Sequence, residues 1–179
     1  DGTVTLDGVK LKGNAYVSGG GENSILLKNT SLDGVLVIEK QDGKIRVVAQ
    51  GSTNVSKVQL NSGASLQEDQ ETGAGFGRVE IVGTLAAGQQ VKLEGSFETV
   101  RVLTGDVAVQ LTDGRVGRLD VAQKCKVDLL KGKVDELAIG DHAAGIIVHI
   151  EKDAAIAALT VNAGATVSGT GRVETANVN

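Results

Sequence analysis

The 179-residue chain has no proline, methionine or tryptophan, and its aromatic residues are limited to Tyr16, Phe76 and Phe97. A core without large aromatic side chains has to be built from valine, leucine, isoleucine and alanine, which fill narrow and regular interiors. Apolar residues still make up 41% of the chain, which is enough for the core of one domain. We therefore expect a single domain over residues 1–179.

Long apolar segments, charge runs and cysteine pairs are also missing. No stretch approaches the ~18 consecutive apolar residues of a membrane span. The net charge is −4, from 18 basic and 22 acidic residues that are interspersed, so no basic patch indicates a nucleic-acid partner. Cys125 is the single cysteine, which excludes an internal disulfide. The chain begins at Asp1 without a signal peptide, and we expect a mature protein or a fragment of a longer one.

The apolar residues recur in triplets with an unusual i, i+3, i+5 spacing. A helix would repeat at i, i+3, i+4 and i+7, and a straight strand at every second residue, so this spacing indicates short strands with a corner between them. The nine triplets are Leu6-Val9-Leu11, Leu32-Val35-Val37, Val55-Val58-Leu60, Phe76-Val79-Ile81, Phe97-Val100-Val102, Val116-Leu119-Val121, Val134-Leu137-Ile139, Ile156-Leu159-Val161 and Val173-Ala176-Val178. Such repetition is typical of a stacked architecture in which each coil covers the next.

These triplets predict an all-β protein. We expect a right-handed parallel β-helix, or β-solenoid, of about eight coils with about 17–26 residues in each. Neighbouring coils should pair strand on strand, about 4.8 Å apart, around an apolar interior that includes Phe76 and Phe97. The coils differ in length and show no strict hexapeptide period, which favours the right-handed type over the left-handed type.

Two glycine-rich segments could be mistaken for phosphate-binding loops. They are SGTG at residues 168–171 and GAGFG at residues 73–77. A phosphate loop has to be followed by a helix whose N-terminus faces the phosphate, whereas a strand pattern follows both segments here. We interpret them as corners, where glycine supplies a positive φ without strain.

The residues with chemical potential are few, and each has a structural interpretation. Cys125 occupies a slot that holds alanine in other coils (Ala64, Ala154 and Ala165), so we expect a buried structural thiol rather than a nucleophile. His142 and His149 lack further ligands at metal-site spacing, and we interpret both as surface residues. The sequence therefore indicates no catalytic residue, no cofactor and no specified metal site.

The densest group of acidic residues is QEDQE, residues 67–71, which we expect to be a solvated loop. A calcium site with oxygen ligands stays an open alternative. Polysaccharide lyases share the predicted fold, but we find no acidic and basic constellation on one face. Sugar-binding surfaces often offer exposed aromatic rings, and with the phenylalanines inward only Tyr16 is left for that role.

One surface feature follows from the predicted register. The middle residue of the last pair in each triplet should point outward, so Gln59, Glu80, Arg101 and Asp120 should form a surface ladder. Glu80 and Asp120 would then flank Arg101 with opposite charge. The same column should continue through Ala138, Thr160 and Asn177, which gives a flat face suited to lateral contact with another chain.

The segment GGGENSILLKNTSLDGVLVIEKQDGKIRVVAQGSTNVSKVQLNSGASL, residues 19–66, resembles a module of bacterial cell-surface proteins. Such modules lie next to S-layer homology domains in Gram-positive bacteria of the Paenibacillus type, and GTGRVETANV near the end fits the same family. The resemblance implies an extracellular location at the bacterial cell surface, a β-helical fold and a stalk or display role. It implies no catalytic residue, and no S-layer homology domain is visible in this sequence.

Together these observations predict a non-catalytic structural spacer or assembly module of a bacterial cell-surface protein. Its partners would be cell-wall polysaccharide or neighbouring surface-protein chains, without nucleic acid and without a membrane span. The alternative is a polysaccharide-binding or polysaccharide-degrading, lyase-like β-helix module. An outward aromatic row or a carboxylate-lined groove would favour that alternative.

Overall fold

The computed structural model describes residues 3–20, 25–42, 45–86 and 88–179, which form strands and no helix. In this part of the chain no helix is long and apolar enough to cross a membrane. The strands are β1 (Val4–Asp7), β2 (Lys10–Leu11), β3 (Ala15–Val17), β4 (Ile25–Lys28), β5 (Ser31–Ile38), β6 (Arg46–Gly51), β7 (Asn54–Leu60), β8 (Ala64–Glu71), β9 (Gly75–Ile81), β10 (Gln90–Val102), β11 (Ala108–Val121), β12 (Lys126–Ile139), β13 (Ile146–Val161), β14 (Ala165–Gly169) and β15 (Arg172–Val178).

The strands pair in parallel and stack as nine levels, which correspond to about eight turns of a solenoid. One face has the order β1-β4-β6-β8-β10-β11-β12-β13-β14. The other face begins with β2 and β3, continues through β5, β7 and β9 and the second halves of β10 to β13, and ends with β15. The prediction of an all-β parallel solenoid is confirmed.

The core is continuous because equivalent apolar side chains stack from coil to coil. Val100 is fully buried and lies between Val79 of the preceding coil and Leu119 of the next. The rings of Phe76 and Phe97 are also buried, with their centroids 6.3 Å apart and their planes within 7°. Both rings therefore contribute to the core, as predicted, and neither is offered to a ligand.

The predicted triplets occupy the inward columns from the third coil to the ninth, but the first two coils differ. In the second coil Leu36 and Ile38 are buried, whereas Val35 and Val37 face outward and are half-buried. The register shifts between Leu32 and Val35, so one extra residue turns the following side chains to the opposite face. In the first coil the residues that stack beneath this set are Leu11, Ala15 and Val17.

Stacked glycines form the bend within the long strands of the later coils. Gly95, Gly114 and Gly132 adopt φ values of 138°, 110° and 103°, which residues other than glycine rarely adopt. A Cβ atom on Gly114 would lie 1.9 Å from the carbonyl oxygen of Gly95, and one on Gly132 would lie 2.1 Å from that of Gly114. The bend therefore needs glycine both for its backbone conformation and for the close approach of neighbouring coils.

Both glycine-rich segments lead into strands, as the corner interpretation predicted. In residues 168–171, Gly169 has a φ of 118° at the end of β14, and β15 begins at Arg172. In residues 73–77, Gly75 has a φ of 55° at the start of β9. Because strands rather than helices follow, neither segment presents a helix N-terminus to a phosphate.

Candidate functional site

One column of outward side chains runs along the whole stack. The strand register places Gln59 beside Glu80, Glu80 beside Arg101, and Arg101 beside Asp120. The four residues named for the surface ladder are thus neighbours on successive coils. The complete column is Tyr16, Val37, Gln59, Glu80, Arg101, Asp120, Ala138, Thr160 and Asn177.

Glu80 is the best-connected charge of this column. Its carboxylate lies 2.7 Å from the Lys57 ammonium and 3.6 Å from the Arg101 guanidinium, and its side chain is only 12% exposed. The hydrogen bond from Lys57, reinforced by the charges of Lys57 and Arg101, holds the pKa of the Glu80 carboxyl below its usual range. These pairs join three coils and favour the observed register.

Asp120 flanks Arg101 in the register, as predicted, but its carboxylate pairs with a different cation. Its carboxylate forms an ion pair at 2.7 Å with Arg118, which lies on the same strand and also reaches Glu136 of the next coil at 2.5 Å. The hydrogen bond to Glu136, with the nearby Asp120 charge, raises the pKa of the Arg118 guanidinium. Arg118 competes successfully because it lies two residues away on the same face, within reach of both carboxylates.

The acidic segment at residues 67–71 is part of strand β8, not the loop that its composition suggests. Ala49 of the preceding coil lies beside Glu68, while the pairing of β8 with the following coil ends at Gln67. The chain above passes close to Glu68 at Gly95, where an added Cβ would lie 2.7 Å from the Glu68 Cβ. Glu68 therefore stands over an inward column of the first coils that ends here, namely Leu6, Leu27 and Ala49.

Two carboxylates of this segment, those of Glu68 and Glu71, accept hydrogen bonds from backbone N–H groups. Glu68 accepts hydrogen bonds from the backbone N–H groups of Phe76 at 2.8 Å and Ser96 at 2.7 Å. Burial raises the pKa of the Glu68 carboxyl, although these two N–H groups stabilise its charged form. Glu71 likewise accepts from the N–H groups of Thr53 and Gly73, at 3.1 and 2.6 Å. Glu68 and Glu71 thus connect neighbouring coils through hydrogen bonds to backbone N–H groups, which is a structural role.

Cys125 is buried at 5% exposure. Burial raises the pKa of its thiol to about 12, so little thiolate is present at neutral pH. Cys125 lies in a column of larger residues than its comparison with Ala64, Ala154 and Ala165 suggested. It stacks between Val107 and Ile146, and the column ends at Ala165. The two other alanines used in that comparison lie elsewhere: Ala64 in the column of Val127, and Ala154 beside Gly132 at the bend.

The two histidines lie apart on the surface. His142 is exposed in a turn, and His149 points outward between Ser168 and Glu151, at 3.2 and 3.3 Å. In the described ranges no group of three or more histidine, cysteine, aspartate or glutamate side chains is arranged to hold a metal ion.

A groove on the outward face of the first three coils was missed at the sequence level. Its volume is about 580 Å³, and Tyr16, Val35, Val37, Gln59 and Asn61 are among the residues that line it. The register shift in the second coil creates it by turning two valines outward. The sequence gives little warning, because the run Val35–Ile38 is apolar at every position and so lacks the alternation that reveals which side chains face outward.

Comparison of the chain with protein-family models, with curated proteins and with solved structures gave no match. The functional interpretation therefore depends on the geometry of the chain itself. That geometry combines one continuous core, the Glu68 and Glu71 carboxylates that accept from backbone N–H groups, and an outward column of mixed polar side chains.

Proposed function

We propose that the chain is a structural module of a bacterial cell-surface protein and acts there as a rigid spacer or assembly surface. The observation that carries this proposal is the unbroken stack of nine parallel levels around one apolar core. Such a stack gains length by adding coils, each of which brings its own hydrogen bonds and its own core residues.

The mechanism of this role is mechanical. At strand spacing, the described levels give a stack of about 40 Å. Adjacent coils are joined on both faces, as where β11 pairs with β12 from Ala108 to Val121. A force that separates the ends has to break many backbone hydrogen bonds at once, and it also has to expose the core between two coils.

The outward column supports the assembly part of the proposal. Beyond Glu80 and Arg101 it continues with small side chains, Ala138 and Thr160. A flat face of this kind suits lateral contact with a neighbouring chain or a wall polymer better than it suits a buried substrate. The cations that pair with Glu80 are partly exposed, and ion pairs at a protein surface contribute only ~0.2–1 kcal/mol each, so this face sets register and contact rather than overall stability.

The surface location is tested by labelling cells that produce the parent protein. Antibodies raised against the purified chain should label intact cells as strongly as lysed cells, whereas antibodies to an intracellular protein should label lysed cells alone. Labelling of the chain only after lysis would contradict the proposed location.

The non-catalytic role is tested separately. Incubation of the purified chain with pectin, cellulose, chitin and isolated wall polymers should release no more reducing or unsaturated sugar ends than buffer alone. Release that scales with the amount of chain would favour the polysaccharide-degrading alternative.

A further inference from the structure

The shifted register of the second coil places two apolar side chains next to the one tyrosine of the chain. Val35 and Val37 face outward, and Tyr16 lies beside Val37 with 74% of its surface exposed. The next coil carries Lys57 and Gln59 at the two equivalent positions. The apolar floor is therefore specific to this part of the stack, and an aromatic ring borders it on one side.

The rim of the groove is polar and already ordered. On the side opposite Tyr16, Gln59 donates to the Asn61 side chain at 3.0 Å, and Asn61 donates to the Glu39 carboxylate at 3.0 Å. On the near side the side-chain oxygen Oδ1 of Asn14 accepts from the backbone N–H of Val35 at 3.0 Å. These bonds hold amide and carboxylate groups around the valine floor, which reduces the ordering cost of binding.

We propose that this groove binds a neutral saccharide. The C–H face of a pyranose ring is apolar and packs on aliphatic and aromatic surfaces, while its hydroxyl groups donate and accept hydrogen bonds like the amides of this rim. The volume of about 580 Å³ lies within the ~300–1,000 Å³ that small-ligand sites occupy.

The charges near the groove favour a neutral ligand over a charged one. The Glu39 carboxylate accepts from Asn61, and the Lys40 ammonium contacts the Gly20 carbonyl at 2.6 Å and Asp42 at 3.1 Å. Neither sign of charge dominates the rim. Saccharide binding goes beyond the spacer role and does not depend on it. The groove would be present whether or not the chain is located at the cell surface.

The composition of the chain provides a direct assay. Tyr16 is the single tyrosine and tryptophan is absent, so the fluorescence excited above the phenylalanine band reports on Tyr16, which lines the groove and also the apolar cavity at the first coil. We would titrate the chain with cellohexaose, xylohexaose and chitohexaose, following tyrosine emission and the heat of binding in parallel. At least one oligosaccharide should change the emission and give a heat with the same midpoint.

Two variants test whether the site is this groove. Val37→Lys replaces the floor by a charged chain at an outward position, and Tyr16→Ala removes the ring. Each should weaken binding at least about tenfold, judged by the heat of binding. Thr160→Lys lies in the same outward column but far from the groove, and it should bind like the parent chain. Thermal melting followed by circular dichroism would verify that each variant is folded.

Three results would overturn the proposal. One is the absence of any heat or emission change with all three oligosaccharides up to about 1 mM, the limit of weak but specific binding. Another is a binding heat without a change in tyrosine emission. The third is binding that Val37→Lys leaves intact while that variant is folded. Because none of these measurements concerns cell location or turnover, they leave the spacer proposal to its own tests.

Discussion

Gly114→Ala is the substitution that most sharply probes how the coils stack. The backbone at this position has a φ of 110°, a conformation that alanine reaches only with strain of about 1–3 kcal/mol. The added Cβ would also lie 1.9 Å from the Gly95 oxygen and 2.7 Å from its carbonyl carbon. Relieving that contact requires neighbouring coils to move apart, and overpacking of this kind costs a further ~1–3 kcal/mol.

We therefore expect Gly114→Ala to lower the free energy of unfolding by about 2–6 kcal/mol. For a chain of this size that corresponds to a fall in Tm of about 4–24 °C. Urea unfolding and thermal melting, both followed by circular dichroism in the far-ultraviolet band of β-strands, would measure this loss of stability.

The matched control is Gly164→Ala. An added Cβ at Gly164 would meet no atom within 4 Å, and its φ lies outside the positive range. This variant should stay within about 0.5 kcal/mol of the parent. Equal stability of the two variants would show that the coils do not approach each other at the glycine bend in the manner described.

Three further substitutions, one of them with a control variant, test the core, the thiol and the ladder. Val100→Asp buries a carboxylate and should cost several kcal/mol in urea unfolding, whereas Thr99→Asp should change little; equal effects would mean a wrong register. Cys125 should react slowly with a thiol reagent at neutral pH, and Cys125→Ala should cost ~1 kcal/mol or less, so rapid labelling would refute its buried position. Arg101→Glu should lower stability by ~0.5–1 kcal/mol through repulsion from Glu80, with a smaller loss in high salt; no salt dependence would argue against the pair.

The sequence alone was sufficient to predict the repeat and, for most coils, which side chains face inward. In most coils from the third onward polar residues separate the inward positions, as at Phe97-Val100-Val102, and the inward side chains follow from that contrast. In the second coil Val35, Leu36, Val37 and Ile38 are all apolar, so sequence alone does not distinguish two registers one residue apart. The choice depends on how the preceding coil packs, which is a tertiary effect.

The acidic segment escaped prediction for a different reason. Its charges suggest a solvent-exposed loop. In the structure the Glu68 carboxylate accepts from the backbone N–H groups of Phe76 and Ser96, which are 8 and 28 residues away along the chain. Only the stacked fold brings those donors to the end of an inward column. The ion pair of Asp120 with Arg118 was missed for a related reason, since cross-strand register alone does not show which of two nearby cations a carboxylate selects.

The most direct test of the spacer role is to stretch the chain between its ends in a single-molecule force experiment. A stack held by inter-coil hydrogen bonds should resist and then yield in steps. Each step should release one or more whole coils, in multiples of about 70 Å for a coil of about 20 residues. Smooth extension at negligible force, or step lengths unrelated to the coil length, would contradict a rigid rod built from stacked coils.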